Sequence, residues 1–384
     1  MKTNMKKMTN QAVTIIGLTT VLSALALGSA FGQSASKAGT SAVVRSAPNN
    51  VTVFATGLNN PRGLKFGPDG NLYVAEGGIG GADSTEGCCE QVIPPVGPYT
   101  GSVTGSRISK IDANGVRTTA VDNLPSSQTS ATTGNLTSGA ADIAFIGETL
   151  YILLAGAGCS HGVSQVPEMP NGLLRVNADG TTELIANLSA FVKANPVAHP
   201  NPGDFEPDGT WYSMIALGDT LYAVEPNHGE LDKITPGVGV SRVVDISASQ
   251  GHIVPTAIAF HNGNFYVGNL NTFPIVPGSS KIYKITPSGN VSVFAEGLTA
   301  ILGVVFDGRA RMYVLETSTA AGDPTPFTGK VIRVDPSGHQ TEIASGLFFP
   351  TGMTLGPDGA LYVSNVGFGP PPAGLGEILR ITVP

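Results

Sequence analysis

Short runs of alternating apolar and polar residues recur along this chain of 384 residues, and turns rich in Gly, Pro, Asn and Asp separate them. The clearest run is a Tyr between two apolar residues, a pattern that predicts one β-strand in each copy of a repeating unit. Six of the nine tyrosines occur in this pattern: Leu72-Tyr73-Val74, Leu150-Tyr151-Ile152, Leu221-Tyr222-Ala223, Phe265-Tyr266-Val267, Met312-Tyr313-Val314 and Leu361-Tyr362-Val363. Because copied units of this kind bury a shared core, the fold follows from the unit.

Each unit is predicted to contain four antiparallel strands, which we name a, b, c and d in chain order. Strand a is short and apolar, as in residues 63–66, and a tight turn such as 67–70 leads to strand b, which holds the Tyr. Strand c carries one basic residue between apolar residues in every unit: Lys110, Arg175, Lys233, Lys284, Arg333 and Arg380. Since alternation places these basic residues opposite their apolar neighbours, we expect structural or solvated roles for them.

The two ends of the chain indicate how the units are arranged. The last unit stops after strand c, whereas residues 51–55 form a d-like strand ahead of the first unit. We therefore predict an all-β fold, a six-bladed β-propeller of four-stranded antiparallel blades in which the N-terminal strand closes the last blade. A parallel β-helix is the competing repeat fold, and it is disfavoured because the short a-to-b turns require antiparallel pairing.

Several segments resemble the six-bladed propellers of NHL-repeat and gluconolactonase type. They are residues 60–64, 66–76 and 349–352, with the sequences NPRGL, FGPDGNLYVAE and FPTG. The order of the motifs over 51–382 and the two long loops of the first two blades most resemble the ScyD/ScyE family, exported propellers associated with scytonemin, a cyanobacterial sunscreen pigment. The third unit departs from the pattern at residues 208–214. The resemblance implies a cellular setting rather than a defined reaction.

Residues 1–32 have the pattern of a secretory signal peptide. Three lysines precede an apolar stretch over 12–30, and small residues at positions 30 and 32 suit cleavage before Gln33. A retained membrane anchor is the alternative, but the Thr, Ser and Gly residues of this stretch lower its hydrophobicity. We expect a flexible segment over 33–50 and one propeller domain over 51–384. The protein is then exported, to the periplasm or the extracellular space, without stable membrane insertion after cleavage.

The charge of the chain limits its partners. The formal net charge is −7, and removing the three lysines of the predicted signal peptide takes it to −10. A negative excess of this size argues against binding to nucleic acid. We expect a monomer whose partner is a small molecule or a surface component. The 50 glycines and 28 prolines place much of the surface in loops and turns.

The chain has three cysteines, Cys88, Cys89 and Cys159. In an oxidising compartment we expect one disulfide and one free thiol. Cys159 is predicted to pair with Cys88 or Cys89, because the repeat places both segments on the same face of neighbouring blades. A vicinal Cys88–Cys89 bridge and three unpaired thiols are the alternatives. A cysteine metal site is disfavoured, because the sequence lacks a second Cys or His pair at ligand spacing.

In a propeller the b-to-c and d-to-a loops lie on one face, here called the loop face, and the tight turns lie on the opposite turn face. Function tends to lie on loops that a rigid scaffold carries, so the loop face is the candidate site. Aligning the Tyr motifs places one residue of each blade at the end of strand b on this face. Five of the six have a side-chain oxygen and are named the strand-b ring: Glu76, Glu225, Asn269, Glu316 and Asn365.

Carboxylate and amide oxygens are the ligands that Ca²⁺ prefers. The layout of the strand-b ring is similar to that of calcium-dependent lactonases of gluconolactonase type, so the resemblance implies a Ca²⁺ site here. The alternative interpretation is that these side chains hydrogen-bond neighbouring loops.

Three further candidates are predicted near the channel mouth. His228 and His252 are candidates for a general base that activates water beside a cation, and Arg62 is a candidate for binding an anionic substrate. A hydrogen-bonded or surface role is the alternative for each. Two functions follow: an exported binding or accessory propeller of ScyD/ScyE type, acting on a small molecule or surface component at the loop face, or a calcium-dependent hydrolase of lactonase or esterase type. The sequence leaves open whether the protein is an enzyme.

Overall fold

Antiparallel pairing between neighbouring strands generates the fold. The computed structural model describes residues 50–163, 169–368 and 373–384, and within these ranges 25 strands form six sheets. The predicted signal peptide and residues 33–49 lie outside the described residues. Strands a of successive blades contact one another and are therefore innermost, around a central channel. The predicted six-bladed β-propeller is confirmed.

The first three blades follow the a-b-c-d order along the chain. Blade 1 is β2 (Pro61–Phe66), β3 (Leu72–Glu76), β4 (Thr100–Ile111) and β5 (Arg117–Gln128), with the two-residue β6 (Thr137–Ser138) beside β5. Blade 2 is β7 (Ala140–Ile146), β8 (Thr149–Leu154), β9 (Gly172–Val176) and β10 (Thr182–Asn187). Blade 3 is β11 (Ser213–Leu217), β12 (Thr220–Glu225), β13 (Glu230–Thr235) and β14 (Gly239–Asp245).

Blades 4 and 5 repeat this order, and blade 6 takes its outer strand from the other end of the chain. Blade 4 is β15 (Pro255–His261), β16 (Asn264–Asn269), β17 (Ser280–Ile285) and β18 (Val291–Leu298). Blade 5 is β19 (Ile301–Phe306), β20 (Met312–Glu316), β21 (Gly329–Val334) and β22 (Gln340–Leu347). Blade 6 is β23 (Gly352–Leu355), β24 (Leu361–Asn365) and β25 (Gly376–Ile381), with β1 (Val51–Leu58) as strand d.

Strand β1 closes the ring as predicted. It pairs antiparallel with β25, from Val51 opposite Ile381 to Leu58 opposite Gly376. Ala55 and Leu58 are buried in one cluster with residues of blades 1 and 6, among them Leu64 and Tyr362. The strand therefore completes a sheet and also fills the contact between the first and the last blade.

Helical structure is confined to connections. It comprises 3-10 turns at Ala131–Thr133 and Cys159–His161, helix α1 (Leu188–Ala194) and helix α2 (Ser247–Gln250). Helix α1 begins the blade 2–3 connection, defined as residues 188–212, and the Asn187 side chain caps it by accepting a hydrogen bond from the Ala190 N–H. Among the described residues, no helix has the length and apolar character needed to cross a membrane.

The repeated Tyr side chains pack between blades. Four of the six rings lie 4.8–5.2 Å, centroid to centroid, from a Phe of the following blade: Tyr73 with Phe145, Tyr222 with Phe265, Tyr266 with Phe306 and Tyr362 with Phe66. Most of these pairs are edge to face, the arrangement that the charge distribution of aromatic rings favours. The repeated Tyr is thus a blade-to-blade packing residue, which explains its recurrence.

The basic residues of strand c stabilise the turn face. In blade 1, Lys110 Nζ lies 2.7 Å from Asp69 Oδ2 in the a-to-b turn, and the Tyr73 hydroxyl donates to the same oxygen at 3.0 Å. Blade 6 repeats the arrangement with Arg380, Asp358 and Tyr362. These contacts support a structural role for Lys110 and Arg380, as the alternation of the strand predicts.

Polar side chains of the inner strands connect neighbouring blades. Asp142 on β7 lies 3.6 Å from Lys65 Nζ of blade 1 and accepts a 2.8 Å hydrogen bond from the Met214 N–H of blade 3. Similar bonds connect later blades: Ser213 Oγ to the Thr256 carbonyl, Thr256 Oγ1 to the Ile301 carbonyl, and Thr351 Oγ1 to the Pro61 carbonyl. Burial raises the pKa of Asp142, while Lys65 and two backbone N–H groups oppose the rise.

Replacing Asp142 with Ala should destabilise the propeller by about 3 kcal/mol, because it leaves the buried Met214 N–H without an acceptor and removes the partner of Lys65. Asp142→Asn keeps an acceptor oxygen and should lose less. Urea unfolding at neutral pH measures both. Asp122→Ala, at an exposed carboxylate that accepts a hydrogen bond from the adjacent Asn123 N–H, is the control and should change the free energy of unfolding by less than about 0.5 kcal/mol. Equal effects at positions 122 and 142 would contradict this role.

Candidate functional site

The loop-face mouth of the central channel is filled by the protein's own side chains. Tyr212, just ahead of strand a in blade 3, reaches across to blade 6 and donates a 2.9 Å hydrogen bond to the Thr351 carbonyl. The Arg62 guanidinium lies beside Tyr212, donates to the Thr137 carbonyl and covers the Phe368 ring at 4.1 Å. Burial lowers the pKa of Arg62 and raises that of Tyr212 to about 12. Arg62, predicted to bind an anionic substrate, is only 6% exposed and holds these partners.

Below this layer lies a cavity of about 250 Å³, lined by strand a residues of all six blades. Its polar side chains include Lys65 and Asp142, which pair with each other. The channel is thus a space between the inner strands, and the side chains at its loop-face end already have partners within the protein.

The strand-b ring residues are buried, and each hydrogen-bonds the segment that leads into strand a of its own blade. Four of them accept a backbone N–H: Asn59 to Glu76 at 2.6 Å, Thr210 to Glu225 at 2.6 Å, Thr299 to Glu316 at 2.6 Å and Phe348 to Asn365 at 3.0 Å. Asn269 instead donates to the Ile253 carbonyl at 2.9 Å. The ring positions are therefore equivalent, as the alignment predicts, and each fixes a loop.

Strand c supplies a second partner to several ring residues. Arg107 donates to both oxygens of Glu76, at 2.9 and 3.1 Å, and Ser109 donates to the same carboxylate. The Asn365 amide donates to Glu377 at 2.8 Å. A cation at Glu76 would have to displace a guanidinium and an N–H donor. Within the described ranges, no three His, Cys, Asp or Glu side chains are arranged to hold a metal ion.

These contacts do not fit a Ca²⁺ site formed by the ring, because the acceptor oxygens already receive N–H groups and, at Glu76, a positive charge. They favour the loop-binding interpretation of the same residues. Calcium binding stays a prediction from the resemblance alone.

Blade 3 differs from the others, because carboxyl groups face one another in it. Glu230 lies opposite Glu225 across strands b and c, Asp232 follows on the same face, and all three are fully buried. Arg242 donates to Glu230, and the Trp211 indole N–H donates to Asp232 at 3.1 Å. Burial raises the pKa of both Glu230 and Asp232. The negative charge of Asp232 raises the pKa of Glu230 further, and that of Glu225 raises the pKa of both, while Arg242 opposes both rises. The pair therefore favours a retained proton.

The two candidate histidines lie against the blade 2–3 connection. His228 Nε2 lies 3.1 Å from the Glu206 carbonyl, and its ring packs on Phe205 with centroids 5.0 Å apart. His252 Nε2 lies 2.7 Å from Asp204 Oδ2. Both rings thus hold this connection in place, and His228 also lines a pocket.

That pocket, here named the Phe205 pocket, is a cavity of about 320 Å³ on the loop face. Its apolar wall is Val192, Pro196, Val197, Pro200, Phe205 and Pro207, and its remaining lining residues are Cys89, Glu90, Lys193, Asp208 and His228. Most of these residues belong to the blade 2–3 connection. A cavity of this size, largely apolar with a few polar groups, is at the lower end of those that hold small molecules.

A layer of polar contacts fixes the walls of the Phe205 pocket. Asp208 accepts from the Ser160 N–H and hydroxyl, both at 2.7 Å, and pairs with Lys193 Nζ at 2.5 Å. Glu206 accepts from the Tyr99 hydroxyl at 2.8 Å and lies 3.2 Å from His161 Nε2. The loops of blades 1 and 2 therefore fix the blade 2–3 connection through their contacts with Glu206 and Asp208.

A disulfide joins the same two loops. Of the pairings that the sequence leaves open, the structure has Cys89–Cys159, with Cα atoms 6.3 Å apart, and Cys88 is exposed and free. Since Cys89 lines the Phe205 pocket, the bridge fixes one edge of the cavity.

The Phe205 pocket was not predicted, because an alignment of the Tyr motifs covers the strands and not the connection between blades 2 and 3. One signal was available in the sequence. Tyr151 and Tyr222 lie much farther apart than Tyr222 and Tyr266, and residues 188–212 between the first two contain four prolines. Such a segment cannot be a fifth strand, and it indicates an irregular structure on the loop face.

The fold is similar to that of several solved structures. A gluconolactonase from Xanthomonas campestris, important in glucose secondary metabolic pathways, has a TM-score of 0.52 at 11% identity, covering 86% of this chain and 89% of its own. The PQQ-bound aldose sugar dehydrogenase from Streptomyces coelicolor has a TM-score of 0.52 at 12% identity, covering 88% and 100%. A Bacteroides thetaiotaomicron protein of unknown function has a TM-score of 0.53 at 11% identity, covering 86% and 75%.

At these identities the similarity shows the fold alone. No family model matches the chain, and no curated protein matches it in sequence. The propeller neighbours include a lactonase and a sugar dehydrogenase, so the fold by itself leaves several functions open.

The stability of the protein should depend on pH through Glu316. Burial raises the pKa of Glu316 to about 7, although the Thr299 N–H and Lys330 oppose the rise. The folded state therefore holds this proton more tightly than the unfolded state. The resulting stability is fully present below the unfolded pKa of about 4.5 and is lost as pH rises through about 7. The loss amounts to about 3 kcal/mol.

Glu316→Gln keeps an acceptor for Thr299 and has no proton to lose. We expect the free energy of unfolding of this variant, relative to the wild type, to increase by about 3 kcal/mol between pH 4.5 and pH 8. Urea unfolding at several pH values measures it. Glu148→Gln, at an exposed position in a turn, is the control and should follow the wild type at every pH. A constant difference between Glu316→Gln and the wild type would contradict the prediction.

Proposed function

We propose that the protein is an exported binding or accessory propeller of ScyD/ScyE type that holds a small molecule in the Phe205 pocket. One observation carries the proposal: the loop face has a cavity of about 320 Å³ with an apolar wall and a few polar groups, whereas the channel mouth is filled by Tyr212 and Arg62. The disulfide and the contacts of Glu206 and Asp208 keep that cavity formed without a ligand.

A calcium-dependent hydrolase of lactonase type is the second candidate, and the resemblance to gluconolactonase-type propellers favours it. The hydrogen bonds of the strand-b ring weigh against it, because Arg107 already neutralises Glu76 and backbone N–H groups occupy Glu225, Glu316 and Asn365. Binding without hydrolysis is therefore the better-supported role.

Filling the cavity should abolish binding of an apolar probe. We expect one site for the uncharged fluorescent probe N-phenyl-1-naphthylamine on the mature protein, seen as a saturable rise in fluorescence. Val197→Trp, at a buried wall position, should weaken this affinity at least tenfold, and Pro196→Trp at the rim provides a second test that does not disturb the core. Val238→Trp, 84% exposed in a turn of blade 3, is the control. Thermal melting checks that each variant is folded, and unchanged affinity in both pocket variants would contradict the site.

Calorimetric titration of the metal-stripped protein with Ca²⁺ separates the two candidates. We expect no saturable site and no turnover across a panel of lactones. A saturable site, with lactone hydrolysis that requires Ca²⁺ and is lost in Asn365→Ala, would favour the hydrolase instead. Asn365 serves this purpose because, among the described residues, its side chain hydrogen-bonds Phe348 and Glu377, so its loss should disturb one loop.

A further inference from the structure

The hydrogen bonds of His228 determine which of its ring nitrogens carries the proton. Nε2 lies 3.1 Å from the Glu206 carbonyl, and a carbonyl oxygen can only accept. Nε2 is therefore the N–H donor, and in the neutral ring Nδ1 carries a lone pair and acts as an acceptor. In the described part of the chain, no donor contacts this Nδ1. The atom is also not fully buried, so a donor from outside the protein can reach it.

The ring of His228 cannot easily turn away from this arrangement. Its backbone N–H is bound by Glu225, its Nε2 is bound by the Glu206 carbonyl, and one face of the ring packs on Phe205. A side chain held at three points keeps its remaining nitrogen in a fixed direction without the help of a ligand. Such preorganisation lowers the entropy lost when a ligand donor binds.

Lys193 and Asp208, two other polar residues of the pocket, already pair with each other. Lys193 Nζ lies 2.5 Å from Asp208 Oδ1, and the second oxygen of Asp208 accepts two hydrogen bonds from Ser160. The ammonium group and the carboxylate thus neutralise each other, and Glu90 adds a negative charge to the lining. An anionic ligand would meet two carboxylates, and a cation would have to compete with Lys193 for Asp208. The lining therefore favours an uncharged ligand.

The apolar wall defines the body of that ligand. The planes of the Phe205 and His228 rings lie at 31° to each other, and three prolines and two valines line the rest of the wall. Flat rings pack well on aromatic faces and on the rigid rings of proline. The wall thus suits a flat, apolar ring system.

We propose that the Phe205 pocket selects an uncharged aromatic molecule that carries a hydroxyl group, and that His228 Nδ1 accepts the hydrogen bond from this hydroxyl. The inference rests on the proposed function, because it assigns a ligand class and a specificity-determining residue to the same site.

Three probes with one common body test the proposal without any change to the protein. They are 4-phenylphenol, which has a hydroxyl donor, 4-methoxybiphenyl, which keeps the oxygen but has no donor, and biphenyl. Displacement of the uncharged fluorescent probe N-phenyl-1-naphthylamine measures their affinities. We expect 4-phenylphenol to bind about tenfold more tightly than the other two, the gain of one well-placed hydrogen bond. Equal binding of the three would overturn the role of Nδ1.

Two variants connect the selectivity to His228. In His228→Phe the aromatic packing stays and the acceptor is lost, so the preference for 4-phenylphenol should fall to within about twofold. Phe205→Leu is the matched control: it should weaken all three probes alike and keep the preference, since it removes packing and leaves Nδ1. A preference that persists in His228→Phe would contradict the proposal.

The outcomes separate this inference from the proposed function. Suppose that the three biphenyl probes bind equally well and that Val197→Trp prevents their binding. The Phe205 pocket would then remain the binding site, and selection for a hydroxyl group would be excluded. Absence of binding by every probe, N-phenyl-1-naphthylamine included, would overturn the proposed function and this inference with it.

Discussion

The pairing of β1 with β25 is the constraint on which the rest of the structure depends. It joins residues near both ends of the described chain, from Val51 opposite Ile381 to Leu58 opposite Gly376. Without it, blade 6 would have an unpaired edge, and the apolar cluster that contains Ala55, Leu58 and Leu64 would be open to water. Closure also brings blade 6 against blade 1, so that Thr351 can donate to the Pro61 carbonyl.

A closed ring fixes the distances across the channel, and this determines what the channel can hold. Tyr212 of blade 3 reaches Thr351 of blade 6, and Arg62 of blade 1 fills the space beside it. The inner strands are connected further by Asp142, Ser213 and Thr256. The centre of the loop face is therefore part of the framework, and the cavity with a free acceptor, the Phe205 pocket, lies off the axis where the chain departs from the repeat.

The sequence predicted the features that arise from local patterns. Hairpin turns such as 67–70, the repeated Tyr and the d-like strand at 51–55 are readable from short windows, and they led to the six blades and their closure. The sequence also predicted that five residues occupy equivalent positions, because each follows its Tyr motif at the same spacing and so lies at the end of strand b. They are Glu76, Glu225, Asn269, Glu316 and Asn365. Their partners were not predicted, since an alignment of motifs does not show which loop atom faces a side chain. The contact of Tyr212 with Thr351, 139 residues away, has no local signal at all.

The Phe205 pocket shows why the structure of irregular segments is harder to predict from sequence than that of strands. A strand is held by its neighbours through backbone hydrogen bonds, but the blade 2–3 connection contains helix α1 and no strand of its own. Its position therefore depends on side chains from three blades: Tyr99 and His161 on Glu206, Ser160 on Asp208, and His252 on Asp204. Because these anchors use up the polar groups of the connection, few remain to meet a ligand. His228 Nδ1, which lies on the turn after β12 and outside the connection, supplies the acceptor instead, so the selectivity of the pocket depends on a single nitrogen.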